Sequence, residues 1–189
     1  ERGRLFSTFS AVSLLDPVNQ ALELDTAVLD VCDFHVARVY ADVGGARLAG
    51  KLRERSTGGA LCGLSPAILQ ELAAALSGVD SLRTLDMHTL EHEGMPPAFV
   101  RACLEPCRRT APSHATVLAG VGADIPAPQD PARKTEPGYL EHITRACFEH
   151  GAQGIVLCRE YEEIRASSMR VAKRVVKSVG DSSGDREES

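Results

Sequence analysis

Hydrophobic and polar positions alternate in two different rhythms along this chain, and the switch between them sets out its elements. From Asp16 to Asp30, "DPVNQALELDTAVLD" places Val18, Ala21, Leu22, Leu24, Val28 and Leu29 on one helical stripe, with Pro17 in the first turn, where a missing N–H costs nothing. A helix is expected there. In "CDFHVARVYADV" the pattern shortens to a β-branched and aromatic run, Phe34, Val36, Val39 and Tyr40, which predicts a buried strand near residues 33–41. "GARLAGKLRERS" returns to helical spacing. "SPAILQELAAALSG" does so with full punctuation: Ser65 as N-cap, Pro66 at the first position and Gly78 as the stop.

Further on, Gly94 and the pair Pro96-Pro97 break the chain before "AFVRACLEPCRRT", a helical stretch whose end Pro106 obscures. "ATVLAGV" predicts a strand near 115–121, and the Pro-rich "PAPQDPARKTEPG" predicts a loop. "YLEHITRACFEHGA" predicts a helix, "GIVLCR" a strand near 154–159, and "YEEIRASSMRVAKRVVKSV" a last long helix. Beyond Val179 the composition turns polar and charged, and residues 180–189 are expected to form a disordered acidic tail. Strands that alternate with helices signify an α/β fold with a parallel sheet and crossover helices. Three strands make a small open sheet or a part of something larger.

Composition narrows the function classes. The chain has 189 residues, 43% of them hydrophobic, a size that suits one domain. Its formal charge is −5, and the last ten residues carry four acids against one Arg, so the body is close to neutral. With no Trp, three Tyr and five Phe there is neither a basic face nor aromatic surface for stacked bases, and nucleic acid is set aside. No apolar run reaches the roughly 20 residues that span a bilayer. Six cysteines are dispersed through mostly apolar runs, which reads as reduced thiols of a cytoplasmic protein.

Three short motifs suggest chemistry and need weighing. "HTLEH" sets His88 and His92 four apart, where one helix face carries both, with Glu91 beside them as in a zinc hydrolase. A third ligand has no obvious place nearby, and a polar surface helix with ordinary histidines is the favoured reading. "CLEPC" sets Cys103 and Cys107 four apart, but no second cysteine pair follows at zinc-ribbon spacing. Neither "GVGAD" nor the other glycine pairs match a phosphate-loop pattern, although Gly151, Gly154 and the next helix N-terminus offer a conceivable phosphate site. No metal and no cofactor is expected.

Three passages carry a resemblance: "CDFHVARVYADVGGARLAG", "VLAGVGADIP" and "ACFEHGAQGIVLCREYEEIR". Together they resemble the C-terminal part of TIM-barrel proteins of the glycoside-hydrolase superfamily, in particular an uncharacterised bacterial branch, over about residues 16–179. The resemblance implies about three βα units, the sixth to eighth of a (β/α)8 barrel, incomplete as they stand because three strands cannot close. It also implies a carbohydrate ligand, and either a missing N-terminal barrel half or an oligomer that covers the exposed edge.

Active sites of such barrels lie at the C-terminal ends of the strands, so the polar residues that follow each strand become candidates. Tyr40, Asp42 and Arg47 follow the first, Asp124 the second, and Arg159 and Glu160 the third. Glycosidic cleavage uses two carboxyl groups across the sugar. Asp124 is accordingly the first choice for a catalytic carboxylate and Glu160 the second, with Tyr40, Asp42, Arg47 and Arg159 as substrate-binding residues. Each has a plainer reading: Asp124 as a turn cap, Asp42 as the start of a "DVGG" turn, Arg159 and Glu160 as charges at a strand-to-helix joint. Two readings from other classes stay open, a non-catalytic α/β module that completes or binds a partner chain, and a zinc-dependent hydrolase built on "HTLEH".

Overall fold

A computed structural model describes residues 6–9, 29–58, 61–126, 132–158 and 164–184. The helix expected over Asp16–Asp30 falls almost wholly outside them. The described chain is α/β. Four strands, β1 (Phe6–Phe9), β2 (Phe34–Val39), β3 (Thr116–Gly122) and β4 (Gly154–Cys158), form one sheet in the order β1-β2-β3-β4, and every neighbouring pair is parallel. The three anticipated strands therefore exist within a residue or two of their expected limits, and a fourth precedes them. β1 is four residues long, Phe-Ser-Thr-Phe, too short for period-2 alternation to announce it.

Between β2 and β3 run four helices, α1 (Ala41–Thr57), α2 (Pro66–Ser77), α3 (Met87–His92) and α4 (Ala98–Thr110), with a 3-10 turn at Asp80–Arg83. α5 (Pro137–Glu149) joins β3 to β4, and α6 (Ala166–Gly184) follows β4, running on past Val179. α2 forms where its punctuation places it: the Ser65 hydroxyl accepts from the Ile68 N–H, and Gly78 takes the left-handed conformation at φ 68°. Pro106 does not end α4, which carries it inside for a further turn. α1 begins directly at the end of β2, four residues before the "GARLAG" pattern suggests. Asp42 to Gly45 are thus the first turn of a helix rather than a free turn.

The core shows which way the sheet faces. Ala37 and Val39 of β2 and Val117, Ala119 and Val121 of β3 share one buried cluster with Leu48 and Leu52 of α1, Phe99, Val100 and Leu104 of α4, and Leu140 and Ile143 of α5. Ile155 and Leu157 of β4 pack against the same cluster. Alternate residues along each strand, Val36, Arg38, Leu118 and Val156, lie on the opposite face. Strands added always in one direction by right-handed crossovers carry their helices on a single side. Among the described residues, the second face holds no part of the helical core, and Val156 there is 37% exposed.

Gly94 shows how tightly the inserted helices press on the strand ends. It sits at φ 91° between α3 and α4, and a Cβ there would lie 2.9 Å from the Ala41 carbonyl oxygen and 3.0 Å from that of Asp42. The next residue, Met95, donates its N–H to Ala41 at 2.8 Å. Only glycine provides both the conformation and the space.

Candidate functional site at the C-terminal end of the sheet

Tyr40, Asp42 and Asp124 come together where β2 and β3 end. Asp124 is fully buried, two residues beyond β3, and is the one described non-glycine residue with positive φ, 58°. Asp tolerates that left-handed region better than most residues because its short polar side chain can bond locally. Here the bonds are long-range instead. Oδ1 accepts from the Thr135 N–H at 3.1 Å and from Arg165 Nε at 3.1 Å, and Oδ2 accepts from the Arg165 N–H at 2.8 Å and from the Ser168 hydroxyl at 2.8 Å. The Asp124 N–H in turn donates to Thr135 Oγ1 at 2.7 Å.

That arrangement has a chemical consequence. An ionised carboxylate offers about four lone-pair directions, and four donors occupy them here. Burial alone would raise its pKa, but the backbone N–H and guanidinium of Arg165 and the Ser168 hydroxyl outweigh burial and hold the group below the usual carboxylate range. Asp124 is therefore charged, engaged and aimed at the first turn of α6, where the helix dipole also favours a negative charge. As it stands the carboxylate positions other groups; to attack or accept a proton it would first have to lose donors.

Asp42 extends the same network. Its Oδ2 accepts from Thr135 Oγ1, whose own lone pair accepts from Asp124, so one buried hydroxyl bridges the two acids. Its Oδ1 pairs with Arg133, which also donates to the Glu91 carbonyl at 3.1 Å. Arg165 reaches the Thr135 carbonyl at 2.7 Å. Beside them the Tyr139 hydroxyl donates to the Met95 carbonyl at 2.9 Å, and burial, with Asp42 nearby, pushes its pKa well up. Five segments are thereby tied together: the start of α1, the end of β3, residues 133–135, the α3–α4 connection and the start of α6.

Tyr40 and Arg47 stand at the rim of this network. A Cβ on Gly122 would meet the Tyr40 ring at 3.2 Å, so the ring lies across the end of β3, which has no side chain there to displace it. The Arg47 guanidinium carbon is 5.9 Å from the centre of that ring, within cation–π range. Arg47 is exposed. Of the six residues singled out in the sequence, the structure gathers Tyr40, Asp42, Arg47 and Asp124 at one end of the sheet. Arg159 and Glu160 lie outside the described residues. Arg133, Thr135, Arg165 and Ser168 were missed, because a loop and a helix start give no periodic signal and their partners are dozens of residues away.

The remaining motifs lie elsewhere. His88 and His92 stack at 4.2 Å on the six-residue α3, His92 Nδ1 contacts the His88 carbonyl at 2.9 Å, and Glu91 is taken up by an ion pair with Arg53. Among the described residues no group of three or more His, Cys, Asp or Glu side chains is placed to hold a metal ion. Cys103 and Cys107 sit in the core of α4. Gly151 precedes β4 while the α6 N-terminus follows it, so the two cannot share a phosphate, and the anion at that N-terminus is Asp124 itself. Depressions lined by Asp33, Phe34, His114, Thr116 and Leu118, and by Arg108, Ser113, Gly151 and Gln153, open at the other end of the strands. No described helix is long and apolar enough to cross a membrane.

Compared with protein-family models, with curated proteins and with solved structures, the chain finds no match.

Proposed function

We propose that this chain is the C-terminal portion of a (β/α)8 barrel related to glycoside hydrolases, and that it binds or acts on a carbohydrate at the C-terminal end of its strands. The observation that carries the reading is the sheet itself: parallel strands in strictly sequential order, with the helical core on one face. That is the local geometry of a barrel wall. Its polar residues gather at the end where barrels place their chemistry. Tyr40, Asp42 and Arg47 border that end and are, with Arg159, the proposed substrate-binding residues.

The engaged state of Asp42 and Asp124 favours binding over hydrolysis by these two acids. Asp124 as catalytic carboxylate requires that substrate displace Ser168 or Arg165, and Glu160 is the second carboxylate of the pair. The same observation supports the non-catalytic module that completes or binds a partner chain. Titration of the chain with neutral and acidic saccharides, read by calorimetry, tests the carbohydrate reading; absence of binding at millimolar sugar sinks it. Light scattering of the 189-residue chain tests the barrel reading. An incomplete barrel predicts association, whereas a cooperative monomer favours a self-sufficient small module.

A further inference from the structure

The two buried acids at the strand ends are matched one to one, Arg133 with Asp42 and Arg165 with Asp124. Arg47 stands outside this balance. It is exposed and makes no ion pair among the described residues; its recorded contact is the Tyr40 ring. Arg165 holds Asp124 through Nε and Nη2, its side chain is 40% exposed, and its Nη1 has no hydrogen bond among the described residues. Both guanidiniums are anchored at the C-terminal end of β3, one through Tyr40 over Gly122 and the other through Asp124, two residues beyond the strand.

Guanidinium is the side chain best matched to a carboxylate, which it can grip through two parallel N–H bonds. An arginine on an aromatic face is pre-oriented, so it loses less freedom on binding than a lysine would. We propose that the C-terminal end of β2 and β3 binds a sugar that bears a carboxylate, with the guanidinium groups of Arg47 and Arg165 as its anion-binding groups. This rests on the carbohydrate reading above and narrows it to acidic saccharides of the uronic-acid class. The buried network supplies the rigidity: with Asp42 and Asp124 already saturated, neither competes for the donors that Arg47 and Arg165 leave unused among the described residues.

The test is calorimetric titration of the full chain with glucuronate, glucose and citrate, repeated with Arg47→Gln and Arg47→Lys. Arg47 makes no hydrogen bond among the described residues, so both variants are expected to fold. The proposal expects glucuronate to bind roughly tenfold or more tightly than glucose, and Arg47→Gln to lose about that factor, as for one charge-assisted hydrogen bond. Arg47→Lys should recover part of it. Glucose and glucuronate bound equally, with Arg47→Gln unchanged, would overturn the acidic-sugar proposal while leaving carbohydrate binding intact. Citrate bound through Arg47 with neither sugar bound would keep the anion site and overturn the carbohydrate reading. No binding of any of the three overturns both.

Discussion

Replacing Asp124 by Asn tests the network at its hub. The substitution keeps shape and the tolerance for φ 58°, but turns one oxygen into a donor and removes the charge. The amide oxygen can retain two of the four incoming bonds. On the other side the new NH2 meets either the Arg165 N–H and Ser168 hydroxyl or the Thr135 N–H and Arg165 Nε, and the backbone N–H in each pair cannot turn away. Breaking a buried pair by removing one partner costs about 3–5 kcal/mol. Arg165 is 40% exposed and can regain water, so the lower end applies, and a loss of about 3 kcal/mol is expected. Urea unfolding followed by circular dichroism measures it. The pH dependence adds a second check. The folded-state pKa of Asp124 is lowered, so its contribution is complete above the unfolded value, about 3.9, and disappears as pH falls through the folded value. The stability gap between wild type and Asp124→Asn should stay constant from about pH 5 upward and close below about pH 4. A gap under about 0.5 kcal/mol at pH 7, within the range of an ordinary surface substitution, would refute the account of Asp124 as an engaged, charged hub.

Other parts of the structure make equally direct demands. Gly94→Ala combines a positive φ with backbone oxygens about 3 Å from the new methyl, so a loss of about 2 kcal/mol or more is expected in the same unfolding assay, and a neutral result would refute the close approach. Pulsed alkylation at pH 8 with peptide mapping should modify exposed Cys62 rapidly and leave Cys103, Cys107 and Cys147 intact until denaturant is added. Burial pushes the Cys147 thiol up to about 12, which removes its thiolate as well as its access; rapid native labelling there would contradict the core packing. A double-mutant cycle of Asp42→Asn and Arg133→Gln should show a coupling of about 1–3 kcal/mol, since both side chains are largely buried and face each other; additivity would mean that the pair does not form.

Much of the sheet was legible in the sequence because β2, β3 and β4 are short apolar runs bounded by turn residues, and α2 because its cap, proline and stop glycine are local. β1 was not, since its four residues depend on pairing with β2 rather than on their own pattern. The start of α1 was missed for a related reason. Its first turn, Ala41 to Gly45, holds two glycines and a buried acid, which local propensity disfavours, and Arg133 and Thr135 compensate from residues about ninety positions away. Asp124 was legible as a residue of interest from its place after a strand. Its role was not, because the donors that saturate it come from a loop and from the beginning of α6. α6 starts at Ala166, where Asp124 accepts the N–H of the preceding Arg165, while residues 161–163, where the helix pattern in the sequence begins, lie outside the described residues.

A buried network of this kind is a weak source of net stability. Each acid and each guanidinium must be taken from water, and the attraction inside roughly repays that cost. Its value lies in geometry. Hydrophobic packing fixes α1, α4 and α5 against the sheet but is non-directional, and it does not determine where residues 133–135 or the first turn of α6 lie relative to the ends of β2 and β3. Hydrogen bonds through one shared threonine do, since Thr135 bridges Asp42 and Asp124 while Arg165 spans Asp124 and the Thr135 carbonyl. Once those segments are fixed, the Tyr40 ring lies over Gly122 with the Arg47 guanidinium beside it, and Arg165 is set against Asp124. A carboxylate arriving there meets donors whose ordering has been completed on folding, so less of the interaction is lost to conformational entropy. On the acidic-sugar proposal the saturated acids are thereby the frame of the site, and Arg47 and Arg165 are its working surface.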